Sequence, residues 1–330
     1  MEHEARGGMR NTQHGIGGSA MSRISLQDVF AARSRIAPFV RHTPIEFSAP
    51  LGACLKLENL QRTGSFKLRG ALSRVLVLAD QEKRRGVITA SAGNHAQGVA
   101  LGCMQVGVSA VIVMPEATPR TKIEATRSLG AEVRLFGATY DDAESEARRI
   151  ERESGRVYVS AYNDPLVVAG QGTIALEILQ DVPDVIKVLV PVGGGGLISG
   201  AGVALKASSP AIRVIGITSR ATPAMYNHLK GTDLPQLPTL AEGLSGGVEP
   251  GAITLDMAPQ VVDDILLVEE TDIRAAIAWL VETHHLIAEG SGAVGIAALR
   301  KWPSLAAGGP TVAIVSGGNL DVGELRKIIA

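Results

Sequence analysis

Two cysteines in 330 residues, Cys54 and Cys103, cannot make a disulfide framework. Their scarcity points to a reducing compartment, the cytoplasm. The seven histidines form no cluster at ligand spacing, and the adjacent pair His284 and His285 would point its rings in different directions on a helix. No metal site is expected. No apolar run reaches the ~20 residues that span a bilayer, so no membrane partner is expected. Residues 1–21 lack the apolar stretch of a signal peptide and are rich in Gly, His and Arg without periodicity. They are expected to be a disordered extension. The "GIGGSA" inside them fits G-x-G-x-x-A, but no strand precedes it and the context of a dinucleotide turn is missing. A formal net charge of -1, with Lys and Arg scattered among acids, removes any electrostatic case for nucleic acid. A small, roughly neutral substrate fits better.

What the chain does have is core: 45% of its residues are hydrophobic, ample for two domains of ordinary size. "SLQD", Ser25 to Asp28, has capping-box spacing with Asp in place of Glu and opens an amphipathic helix toward Phe39. After Lys67 a second helix carries Leu72, Val75, Leu76 and Leu78 at helical spacing. A regular alternation follows, from "GVIT", "NHAQGVALGCMQVG", "SAVIVMP" and "TPRTKIEATRSLG" through "VIKVLVPV" and "GLISGAGVALKA" to "TVAIVSGG". The strands are short, β-branched and apolar, as in parallel strands covered on both faces. The fold class is α/β, doubly wound. A Pro- and Gly-rich stretch from Leu234 to Gly251 reads as an ordered loop over a site.

Three strand-to-helix or strand-to-loop junctions carry the chemistry. "LVPVGGGGLISG" sets Gly193, Gly194, Gly195 and Gly196 between an apolar strand and a helix beginning near Leu197. Consecutive glycines let backbone N–H groups turn inward at a helix N-terminus, which makes a cradle for a phosphate. The P-loop and dinucleotide patterns both fail here, and a tight packing turn is the plain alternative. In "TASAGNHAQG", Ser91, Gly93 and Asn94 with the helix-start amides can hold a carboxylate, or can simply cap a helix. "VSGGN" ends the last strand with Ser316. Strand carboxyl ends are where open α/β sheets bind ligands. Lys67, just after the Thr-Gly-Ser turn of "QRTGSFKLRG", is the fourth part.

"GSFKLRGA", "SAGNHAQG", "AGQGTIALEI", "PVGGGGLISG" and "SGGN" together resemble the serine/threonine dehydratase and serine racemase branch of pyridoxal-phosphate enzymes, in order and spacing, from about Ser22 to Ala330. The resemblance implies a two-domain fold like that of the tryptophan synthase β chain. The large domain would combine residues 22–78 with 160–330, and the small domain would be 79–159. It implies pyridoxal 5'-phosphate as cofactor, carried by Lys67 as a Schiff base, with Lys67 the catalytic base. Phe66 would pack on the pyridine ring, Gly193 to Leu197 would take the phosphate and Asn94 would donate to the ring oxygen. Ser316 would meet the pyridine nitrogen, with Gly243 and Glu289 also lining the cofactor. Ser91, Ala92, Gly93, Asn94 and His95 would receive the substrate carboxylate. A neutral hydroxyl at the pyridine nitrogen favours loss of a β-substituent over a long-lived carbanion.

Departures sharpen the expectation. Racemases of this branch carry two serines before Gly-Asn-His, whereas this chain has Ser91 and Ala92. Relatives that bind dicarboxylates offer an arginine after the third small-domain strand; here the first is Arg148, about a turn beyond. Thr218 stands where many relatives have an acid for a divalent cation, and Gly290 stands where proline is usual. No appended regulatory domain is expected after Ala330. The expected activity is dehydration of L-threonine and L-serine to 2-oxobutanoate and pyruvate. Rivals are a dehydratase of hydroxyectoine breakdown or of hydroxyaspartate, a racemase, a dinucleotide-dependent dehydrogenase and a non-catalytic ligand sensor. A homodimer or homotetramer is expected, with apolar helices such as "AAIAWLVE" as candidate surface.

Overall fold

The computed structural model describes residues 24–330; the extension expected over residues 1–21 lies outside the described residues. Helix α1 (Leu26–Ile36) opens on Ser25, whose hydroxyl accepts from Asp28 N while the Asp28 carboxylate takes the Ser25 N–H. The capping box is present, but the helix stops at Ile36, short of Phe39. A hairpin of β1 (Ile45–Ser48) and β2 (Ala53–Leu57) follows. Helix α2 (Lys67–Val75) leaves Leu76 and Leu78 outside it, and α3 (Asp80–Arg85) leads to β3 (Val87–Ala90). Then come α4 (Asn94–Val106), β4 (Ala110–Met114), α5 (Arg120–Ser128), β5 (Glu132–Leu135), α6 (Tyr140–Ser154) and β6 (Val157–Tyr158). The chain continues through α7 (Pro165–Asp181), β7 (Lys187–Pro191), α8 (Gly196–Ser208), β8 (Arg213–Ser219), α9 (Ala224–Lys230) and α10 (Ile253–Val261). It closes with β9 (Asp264–Val268), α11 (Glu270–His284), α12 (Gly290–Lys301), β10 (Thr311–Val315) and α13 (Val322–Ile329).

The strands make two sheets. One has the order β1-β2-β10-β7-β8-β9 and is parallel except for the hairpin; the other has the order β5-β4-β3-β6 and is wholly parallel. In the larger sheet Val188, Val190, Val312 and Ile314 face α1, α7 and α8, while Leu189, Ile217, Ala313 and Val315 face α11 and α12. Both faces are covered, which is why these strands read as unbroken apolar runs. β5 departs from that pattern: it is an edge strand and mostly exposed. The carboxyl ends of β7 and β10 feed the Gly193–Gly196 and Ser316–Asn319 loops, and β3 feeds Ser91–Asn94.

Helix α2 is held between α4 and α7 by backbone approach. A Cβ at Gly98 would come within 3.1 Å of the Lys67 carbonyl carbon, and one at Gly170 within 2.6 Å of the Arg69 oxygen. Charge fixes what packing allows. Arg69, 1% exposed, donates from Nε and Nη2 to Glu58 at 2.8 and 2.7 Å and from Nη1 and Nη2 to Glu177 at 2.6 and 2.9 Å. Lys56 Nζ lies 2.7 Å from Glu177 Oε2 and donates to Thr43 O, also at 2.7 Å. Thr43 Oγ1 donates to Glu58 Oε1 at 2.6 Å. Burial works against the charged forms, yet Glu58 and Glu177 raise the Arg69 pKa, and Arg69 and Lys56 lower that of Glu177.

Arg69→Met would leave two buried carboxylates short of their cation and should cost ~3–5 kcal/mol. The thermal midpoint should fall on the order of 10 °C; an unchanged midpoint would contradict this pairing. Because the Glu177 pKa is lowered on folding, its stabilisation is present above the unfolded carboxylate value of about 4.3 and is lost as pH falls through the lower folded value. The stability gap between wild type and Glu177→Gln should therefore close on acidification below roughly pH 4.

Candidate active site

The turn before Lys67 is laced to the loop after β10. Ser65 bridges to Gly317, Phe66 N donates to Ser316 O at 3.1 Å, Gly318 N to Gly64 O at 2.9 Å and Asn319 Nδ2 to Thr63 O at 2.7 Å. These three hydrogen bonds, two of which make the Ser65–Gly317 bridge, set the start of α2 beside Ser316. Lys67 is half-buried; its Nζ donates to Ala161 O at 3.2 Å and stands 5.2 Å from the centre of the Phe66 ring. Burial pulls its pKa from 10.5 down to about 8, with Glu289 opposing. A neutral amine is thus within easy reach near physiological pH.

Ser91, Ala92 and Gly93 run into α4, where no side chain caps the helix and Gly93 N donates to Ser91 Oγ at 3.2 Å. Asn94 Nδ2 donates to Glu289 Oε1 at 2.6 Å. Burial pushes the Glu289 carboxyl up to about 7 despite that bond. His95 Nε2 lies 2.9 Å from Val159 O, and a carbonyl only accepts, so Nε2 carries the proton. Burial, then the Lys67 charge, hold the ring neutral with a pKa of about 3, and its buried Nδ1 has no partner. The His95 side chain is spoken for by the chain after β6.

Around the glycine loop the walls are close. A Cβ at Gly194 would come within 2.5 Å of the Tyr162 ring, one at Gly193 within 2.9 Å of Leu244 Cα and one at Gly195 within 2.7 Å of Met225 Cε. Gly195 also takes a left-handed φ of 85°, which a side chain resists. Thr254 Oγ1 donates to Gly194 O at 2.7 Å. Among the described residues the N–H groups of Gly193, Gly194, Gly195 and Gly196 donate to no backbone carbonyl, and no side chain caps α8. Those amides and the helix N-terminus form an unspent set of donors for an anion. Leu197 follows with its side chain in the core, so only its backbone can face the loop. Ala161 O, which Lys67 reaches, lies 3.7 Å from where a Gly196 Cβ would stand. Lysine and cradle share one cleft.

Ser316 is buried and donates to Ser291 O at 3.3 Å. Gly243 lies in the short turn Glu242–Leu244, where a Cβ would come within 2.8 Å of Ser291 Oγ and 3.6 Å of Glu289 Oε1. The stretch from Leu234 to Gly251 thus covers the site, as Leu244 over Gly193 also shows. Lys122 of α5 reaches Glu242 at 2.7 Å, tying the smaller sheet to that cover. Thr218 spends its hydroxyl inside the chain, on Thr222 O at 3.0 Å. Among the described residues no three His, Cys, Asp or Glu side chains are gathered as a metal would need. Tyr162, Thr254 and Lys122 carry no signal in the sequence, and Asn319 carries one only as the last residue of "SGGN", because each acts on a segment far away in the chain.

A family model described as pyridoxal-phosphate dependent enzyme matches residues 36–317. The chain belongs to that family. It is 45% identical over 316 residues to the L-threonine ammonia-lyase of Thermotoga maritima, covering 93% of this chain and 78% of the relative. The structure of the processed form of threonine deaminase isoform 2 from Solanum lycopersicum superposes with a TM-score of 0.84 at 36% identity, covering 92% of this chain and 86% of that one. The maize serine racemase structure gives a TM-score of 0.86 at 32% identity, covering 92% and 96%. The cofactor is pyridoxal phosphate. The cleft fits that group, with free amides for a phosphate, an amine of lowered pKa for an aldehyde and a buried hydroxyl at Ser316.

In cofactor-free protein, capture of pyridoxal phosphate should speed up as pH rises through about 8, because only the neutral amine attacks. Glu289→Gln removes the charge that holds the lysine pKa up, so the midpoint should move to lower pH. A visible band that borohydride bleaches reports the capture. A midpoint at the ordinary lysine value, or an upward move in the variant, would contradict this electrostatic picture.

Proposed function

We propose that this enzyme is an L-threonine ammonia-lyase that also accepts L-serine: β-elimination removes water, hydrolysis of the released enamine takes that water up again, and the net products are 2-oxobutanoate or pyruvate and ammonia. The observation that carries the reading is one basic group where a racemase needs two: Lys67 with its lowered pKa, set against Ala92, which has no proton to give or take. Pyridoxal phosphate, when bound, supplies an aldehyde for the substrate's amino group and a ring that draws electrons from Cα. The backbone of Gly193 to Leu197 would hold its phosphate, Phe66 would pack on its ring and Asn94 would donate to its ring oxygen. Gly243 and Glu289 would close the ring edge. Ser316 brings no charge to the pyridine nitrogen, which favours prompt loss of the β-hydroxyl. Ser91, Ala92, Gly93, Asn94 and His95 would take the substrate carboxylate on loop and helix-start donors. Lys67 takes the Cα proton and holds it on Nζ.

Arg148 supports a monocarboxylic substrate. It lies over the Tyr158 ring at 3.5 Å and pairs with Glu151 at 3.2 Å, so it is already engaged. A methyl group is worth only ~1–3 kcal/mol in a pocket, which leaves serine within range. Lys67→Ala should abolish turnover while cofactor still binds non-covalently. A keto-acid assay over L- and D-3-hydroxy amino acids decides the substrate. Product from hydroxyaspartate or a bulkier analogue, with none from L-threonine or L-serine, would hand the assignment to a specialised dehydratase.

The proposed setting is cytoplasmic, which the cysteine content supports; among the described residues no helix is long and apolar enough to cross a membrane. The proposed assembly is a homodimer or homotetramer. In the "AAIAWLVE" helix Ala276, Ile277 and Leu280 of α11 are buried in the core, which leaves less apolar surface there for a partner. Phe47 on the edge strand β1 and Phe30 on α1, 67% and 47% exposed, are the better candidates. A monomer by light scattering would contradict the assembly.

A further inference from the structure

Beyond tying its loop to the turn before Lys67, Asn319 has no assigned part in the site. An amide offers a donor on one side and an acceptor of similar size on the other, so its neighbours decide which way it faces. Thr63 presents a backbone carbonyl, which only accepts, and Asn319 Nδ2 donates to it at 2.7 Å. That contact fixes Asn319. Its nitrogen then also donates to Asn94 Oδ1 at 2.7 Å. With its oxygen taken, Asn94 turns its nitrogen to Glu289 Oε1 at 2.6 Å. The direction of donation runs one way, from Asn319 to Asn94 to Glu289. Gly64 makes the arrangement possible: its φ is 70°, and the Asn319 amide fills the space a Cβ would need.

We infer that Asn319 is a positioning residue that sets the facing of the Asn94 amide, so that nitrogen rather than oxygen is presented to Glu289 and to the ring oxygen of the cofactor. The inference rests on the proposed contact between Asn94 and the cofactor. Asn319→Asp reverses the logic. A carboxylate can donate neither to Thr63 O nor to Asn94 Oδ1, and Asn94 would turn its nitrogen toward the new carboxylate instead. Its oxygen would then oppose the Glu289 carboxylate and the ring oxygen, acceptor against acceptor.

The test is a double-mutant cycle on the full chain, reading the dissociation constant of pyridoxal phosphate from the cofactor-free protein and the thermal midpoint of each variant. Asn319→Asp should weaken cofactor binding about tenfold, the effect of one lost hydrogen bond with its acceptor left unpaired. In the Asn94→Ala background the same change should have less than about a twofold effect. Asn319→Ala, which removes the donor without reversing it, should fall between wild type and Asn319→Asp, and it carries the cycle should the aspartate variant not fold. Equal weakening in both backgrounds would show that Asn319 acts through the fold and overturn the inference. So would unchanged affinity in Asn319→Asp. If Asn94→Ala alone leaves affinity unchanged, the Asn94 contact itself is wrong and the inference falls with it, a result distinct from the other two.

Discussion

One guanidinium divided between two carboxylates, in a place without water, is the constraint on which the rest of this molecule hangs. Arg69 ties α2 to Glu58 at the end of β2 and to Glu177 in α7. A buried cluster of this kind gains little net stability over well-packed apolar residues, but it tolerates only one arrangement. Two residues apart on a helix lie about 200° around it. Anchoring Arg69 inward therefore turns Lys67 toward the cleft. The same helix thus carries two cations with opposite fates. Arg69 keeps its charge because carboxylates surround it, while Lys67 gives up its proton more readily than a free lysine because burial is answered only by Glu289.

Burial in the cleft weakens the charged form of each ionisable group it holds. Burial acts on Lys67, Glu289 and His95 alike, bringing them to about 8, 7 and 3, and in each case it favours the neutral form. The aligned amides at the start of α8 supply an attraction for a phosphate that depends on no side-chain charge. Such fixed dipoles need no reorganisation when an anion arrives and do not change with pH.

Much of this is legible from residues alone, for physical reasons that differ by element. Parallel strands covered on both faces must be apolar throughout, so β3, β4, β7 and β10 stand out. Consecutive glycines and a capping box are local, so the Gly193–Gly196 loop and Ser25 can be read in place. The hairpin β1–β2 cannot, because β1 has four residues and buries only Ser48. The burial of α11 escapes a sequence reading because its apolar stripe fits a core and an interface equally well. Tyr162 behind the glycines and Thr254 on Gly194 O are invisible in the same sense, as is the contact that Asn319 of "SGGN" makes with Asn94. Each is defined by a partner that only the folded chain brings near.

The larger sheet has one feature whose effect is temporal. β10 enters between β2 and β7, although it is the final strand in the chain. Thr63 and Asn319 are 256 positions apart, and their bond is one of those that lace the lysine turn in place. At about 5–20 residues per second, a ribosome needs roughly 10–50 s to travel that distance. Throughout that interval the lysine-bearing helix is out, without Ser316 beside it and without a central strand joining the two halves of its sheet. The cleft cannot be complete until the final strand has entered the middle of the sheet.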